Sequence, residues 1–97
     1  MIFDEMFLKQ LPDNSNLAIF KICERYLKIE SPHIIIENAL ETYALLEQYI
    51  TANEIQIELP NIKQYESRDQ RIQEIHTFIH QQYKSLLEYK TLSEDEN

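Results

Sequence analysis

The chain of 97 residues contains no glycine, although average usage near 7% would supply about seven. Glycine serves backbone at positive φ and lets a chain approach phosphate closely, so the phosphate loops, the dinucleotide fingerprint and the nucleophile elbow are missing. Nucleotide-dependent and hydrolase chemistry of those kinds is disfavoured. Cysteine is nearly absent as well: Cys23 stands alone, which rules out an intramolecular disulfide and any cysteine zinc site without other ligands. No run approaches the ~20 apolar residues of a membrane span. Asp4 and Glu5 precede every basic residue, the wrong pattern for a secretory signal. The expectation is a cytoplasmic protein with no membrane partner.

Positive charge is scarce and unevenly placed. A net charge of -8 and a pI near 4.7 oppose general affinity for phosphate backbones, so nucleic acid is not the expected partner. Between Ile29 and Ile62 there are six glutamates (Glu30, Glu37, Glu41, Glu47, Glu54 and Glu58) and no Lys or Arg. Hydrophobic residues at 43% and charged residues at 27% fall in the globular range. A chain of this length buries about two thirds of its unfolded surface, and a second copy or a partner is an ordinary way to complete its core.

Apolar periodicity predicts a mainly α-helical domain over residues 1–92, built as a small bundle of about four helices with one short β-strand and expected to be dimeric. Ile2, Phe3, Met6, Phe7 and Leu11 recur at helical spacing, so Ile2 to Gln10 reads as a short helix stopped by Pro12. The polar run Asp13 to Asn16 offers a cap. Ile19, Phe20, Cys23, Tyr26 and Leu27 then form one face of a second helix, opposite Lys21, Glu24, Arg25 and Lys28. Ser31-Pro32 is a start signal for a third helix reaching about Thr51. At about 100° per residue, Ile36, Ala39, Leu40, Tyr43, Leu46 and Ile50 share one face of it, with Glu47 at that face. Ile34, Ile35, Leu45 and Tyr49 make a second apolar face. A surface helix needs only one, so the second implies a central helix or an intermolecular contact.

The period then changes. Ile55, Ile57 and Leu59 alternate with Gln56 and Glu58 until Pro60, which predicts a half-buried strand over about 54–59. No other segment matches it, so its neighbour would come from a second subunit or a partner, unless the stretch is merely extended and packs through its apolar side. Ser67 to Gln70 fits a capping box, and Ile72, Ile75, Ile79, Tyr83 and Leu86 line a last helix running to about Thr91. Residues 93–97 read as an acidic, disordered tail.

Few side chains suggest chemistry. His76 and His80 are four apart on a helix, with Asp69 near the same stripe, the spacing of a two-histidine, one-carboxylate metal site. The HExxH form is absent, and we read these residues as the margin of an apolar face, with no metal and no cofactor expected. Cys23 falls on a buried face, where a thiol behaves as a small hydrophobe rather than a nucleophile. No catalytic constellation emerges, so the protein is read as a non-enzymatic interaction module, an adaptor or regulator. Its binding residues are expected to be Ile34, Glu37, Glu41, Leu45, Tyr49 and Glu58, and its partner a protein with a basic, partly apolar surface.

A short apolar segment ends in Leu11-Pro12, a helix follows, the chain breaks at Glu30-Ser31-Pro32, and a second helix contains Ile35-Ile36-Glu37-Asn38-Ala39-Leu40-Glu41-Thr42-Tyr43. That order over about residues 7–59 resembles the ribbon-helix-helix regulators, where a strand ending in proline precedes two helices. The resemblance implies an intertwined dimer with Met6, Leu8 and Gln10 aimed at the major groove and the amides near Ser31 on phosphate. It supplies the alternative function, a DNA-binding transcriptional regulator or antitoxin.

Overall fold

A computed structural model describes residues 2–30 and 33–95. Four α-helices follow one another: α1 (Glu5–Lys9), α2 (Ser15–Glu30), α3 (Ile36–Ala52) and α4 (Arg68–Asp95), with a single 3-10 turn at Ile62–Gln64. The helix α4 sets the long dimension of a molecule measuring 46 × 25 × 24 Å, since its 28 residues extend about 42 Å at 1.5 Å per residue.

Capping explains where several helices begin. Asn14 Oδ1 accepts the Leu17 backbone N–H at 3.1 Å, which satisfies one orphan amide of α2. Ser67 Oγ does the same for Gln70 at 3.3 Å, as the capping-box spacing predicts. The first helix is shorter than its periodicity suggests. Asp4 accepts from Phe7 and caps α1 at Glu5, which leaves Ile2 and Phe3 outside the helix, buried in the core.

The third helix also starts late. Its predicted start at Ser31-Pro32 lies outside the described residues, and the helix begins at Ile36 after Ile35 in extended conformation with no side-chain cap. Ile34, Ile35 and Ile36 are consecutive β-branched residues, whose restricted χ1 favours extended backbone over a first helical turn.

The predicted strand is corrected: among the described residues no strand occurs. Residues 55–60 run without helix, turn or bend, with Ile55, Ile57 and Leu59 half-buried against the core and Gln56 and Glu58 exposed. The two-residue period is real, but helices rather than a neighbouring strand absorb its apolar side, so no ladder forms. This strap is tied down by Tyr43, whose hydroxyl donates to the Pro60 carbonyl at 2.8 Å. At its other end Ile55 and Glu54 donate to the carbonyls of Ile50 and Thr51.

The core lies where α2, α3 and α4 meet. Ile19, Phe20, Ile22, Cys23 and Tyr26 of α2 face Ala39, Leu46 and Ile50 of α3 and Ile72, Ile75, Ile79 and Leu86 of α4. Phe20 stacks on Tyr83 with ring centroids 5.1 Å apart, a geometry aromatic pairs favour. Thr42 is the one buried polar side chain among the described residues, and its hydroxyl donates to the Asn38 carbonyl at 2.7 Å. The helix α4 continues past Thr91, with helical backbone to Asp95; residues 96 and 97 of the expected tail lie outside the described residues.

Candidate functional site

The second apolar face of α3 is divided by the fold. Glu41, Leu45 and Tyr49 form one i, i+4, i+8 row along it. At the Glu41 end, the N-terminal segment approaches: the Ile2 backbone N–H donates to Glu41 Oε2 at 3.1 Å, while Glu41 Oε1 is buried with no hydrogen-bond partner. Arg25 fixes that segment from the other side, donating to the Ile2 carbonyl and placing its guanidinium 4.9 Å from the centre of the Phe7 ring. Leu45 and Tyr49 are half-buried against the core. Much of the face is therefore closed within the chain, which is the physical reason a helix of this fold carries apolar residues on two sides.

What stays open lies at the N-terminal end of α3. Ile34 is 36% exposed, Ile35 47% and Leu40 41%, with Glu37 exposed among them. The spacing sets Leu40 on one face with Ala39, Leu46 and Ile50; those three are buried, with Thr42 beside them, while Leu40 is turned outward. Glu47, also expected at the core face, is exposed. Its charge, after burial, is the second cause holding the Tyr43 phenol above its ordinary value of 10.0.

Glu58 belongs to a different feature. It lines a groove of about 480 Å³ between the strap and α4, together with Leu59, Pro60, Asn61, Gln64, Glu74, Thr77, Phe78 and Gln81. Neither the Glu58 nor the Glu74 carboxylate makes an ion pair or hydrogen bond among the described residues. The α4 wall was not legible in sequence, because Glu74, Phe78 and Gln81 meet Glu58 only through the packing of the strap on that helix.

The metal candidates do not converge. Among the described residues no three His, Cys, Asp or Glu side chains form a group able to hold a metal. His76 Nδ1 lies 3.1 Å from the hydroxyl of the fully buried Tyr26, and its ring centre is 6.4 Å from that of His80. Asp69 and His80 are exposed. Cys23 is fully buried, and desolvation pushes its thiol up to about 12, which leaves it protonated and inert at neutral pH.

The residues the ribbon-helix-helix resemblance assigns to a strand lie elsewhere in secondary structure: Met6 and Leu8 are exposed on α1, and Gln10 is its C-cap. Among the described residues no helix is long and apolar enough to cross a membrane. No protein-family model, curated protein or solved structure matches the chain.

Proposed function

We propose that the protein is a non-enzymatic interaction module, an adaptor or regulator, that engages a basic and partly apolar surface of another protein. One observation carries this reading: the stretch from Ile29 to Ile62 has six glutamates and no Lys or Arg, and three large apolar side chains, Ile34, Ile35 and Leu40, stand exposed within it. Carboxylates steer a cationic partner to the site, and desolvation of the exposed isoleucines and leucine then holds it. Weight within the expected site moves accordingly. Ile34 and Glu37 stay central, Ile35 and Leu40 join them, and Leu45 and Tyr49 act mainly as support. A cytoplasmic setting fits a lone buried thiol.

Affinity capture from cell extract on immobilised wild type and on an Ile35→Glu/Leu40→Glu double variant tests the reading, with partners identified by mass spectrometry. The expected result is a partner with a basic surface, retained by wild type in a salt-sensitive manner and lost from the double variant. Equal retention by both, or an acidic partner, would overturn it. The reading includes a homodimer. Light scattering should then give twice the 11.7 kDa chain mass; a wild-type monomer ends that part of the proposal.

A further inference from the structure

We infer that the groove between the strap and α4 receives an extended, arginine-bearing segment of a partner protein; this rests on the reading above and names the chemistry of its ligand. Two independent features point to such an occupant. The first is the strap's backbone. The peptide groups of Gln56 to Leu59 make no hydrogen bond among the described residues; Glu58 and Leu59 of this stretch line the groove, and Ile55, Ile57 and Leu59 are seated against the core and hold the segment in place. A seated segment without helix, turn or bend whose N–H and C=O groups are unpaired offers the main-chain groups that strand addition uses, where main-chain bonds supply affinity and side-chain pockets supply specificity.

The second feature is the groove's chemistry. Glu58 and Glu74 line it from opposite walls without an ion pair, no Lys or Arg lines it, and Asn61, Gln64 and Gln81 add amide groups. Phe78 contributes a half-buried aromatic ring. A planar guanidinium suits this combination better than an ammonium does, because it can bond a carboxylate in bidentate fashion while its face lies on an aromatic ring. Anionic ligands find two uncompensated carboxylates there. A second copy adding its own strap would bring a second Glu58 to the same carboxylates, and like charges facing across a strand pair are destabilising.

The test uses the full chain and a fluorescein-labelled six-residue synthetic peptide alternating valine with arginine, with a peptide carrying glutamate in place of arginine as control. Anisotropy measures affinity, and amide chemical shifts locate the site. The expected result is salt-sensitive binding of the arginine peptide alone, with shifts at Gln56 to Leu59 and Phe78. A Glu58→Gln/Glu74→Gln double variant, both positions lying on the groove wall outside the core, should keep its circular dichroism and bind at least tenfold more weakly. Absence of binding, or affinity in the double variant within twofold of wild type, would overturn the inference. Shifts confined to Ile35, Glu37 and Leu40 would also overturn it while leaving the α3 reading intact. Groove binding with a partner capture indifferent to Ile35→Glu/Leu40→Glu would do the reverse. A concentration-dependent rise in mass without peptide, suppressed by Glu58→Gln/Glu74→Gln, would assign the groove to a second copy and end the proposal.

Discussion

Ile55 donates its backbone N–H to the Ile50 carbonyl at 3.0 Å, spanning Glu54 at φ 51°. With Glu54 donating to Thr51 at 3.3 Å, this is the paired 6→1 and 5→2 bonding of a Schellman cap, usually built on glycine. Here a glutamate occupies the left-handed position. The chain lacks glycine but still needs one such residue to turn α3 into the strap, and it bears the steric cost, about 1–2 kcal/mol for an L-residue with a side chain. Glu54→Gly should therefore stabilise the fold by about 0.5–1 kcal/mol, after the larger chain entropy that glycine brings to the unfolded state. Urea denaturation checks this; a lower midpoint in Glu54→Gly would contradict it.

Tyr43 links the strap to α3 through Pro60, and its phenol is held above 10.0 by burial and then by the charge of Glu47. Above pH 10 the unfolded chain loses this proton before the folded chain does, so the unfolded state binds fewer protons and stability falls as pH rises. Tyr43→Phe should cost about 1 kcal/mol at neutral pH by leaving the Pro60 carbonyl without its donor. It should also flatten part of the stability loss above pH 10. Glu47→Gln should bring the Tyr43 phenol down toward its ordinary value, as read by ultraviolet titration against the Tyr43→Phe background.

Cys23 is packed at full burial with its thiol raised from 9.0 to about 12. In the native state it should resist Ellman's reagent at pH 8 and react fully in 6 M guanidinium. The sign of its linkage matches that of Tyr43: stability is complete below pH 9 and declines as pH rises toward 12. Cys23→Ser places a hydroxyl in an apolar site and should destabilise by about 1–3 kcal/mol. Fast native-state labelling would mean that α2 opens locally far more often than its burial implies.

Leu40 and Leu46 lie on one predicted face of α3, yet Leu46 is 1% exposed and Leu40 is 41% exposed. Leu46→Ala should cost about 2–5 kcal/mol through lost burial and a residual cavity. Leu40→Ala should stay within about 0.5 kcal/mol, as surface changes do, while weakening partner capture. Thermal melts and the capture assay separate the two residues.

Among the described residues Glu41 has the one buried side-chain oxygen without a hydrogen bond, while its other oxygen is bonded to Ile2. Replacing it with alanine removes a charge-assisted bond but also relieves an unsatisfied acceptor. Since removing one partner strands the buried Ile2 amide, Glu41→Ala should lose about 1–2 kcal/mol, measured by urea denaturation. An unchanged midpoint would show that the N-terminal segment is held by Phe3 and Arg25 instead.

Local physics sets where the helices start and which sides they bury. Asn14 and Ser67 begin helices because their side chains satisfy free amides, and α2 and α4 bury the faces their spacing predicts, from Cys23 and Tyr26 to Ile75 and Ile79. Period-two alternation placed Ile55, Ile57 and Leu59 inward. What those elements meet depends on long-range packing. The strap rests on helices rather than a strand, because apolar alternation specifies a buried side and not the identity of its neighbour. The N-terminal residues Ile2 and Phe3 leave their helix to join the core, and Ile2 engages Glu41, so the apparently surplus face of α3 is partly closed from within. Glu58 and Glu74 share one groove although they stand sixteen positions apart, a proximity that no local pattern encodes.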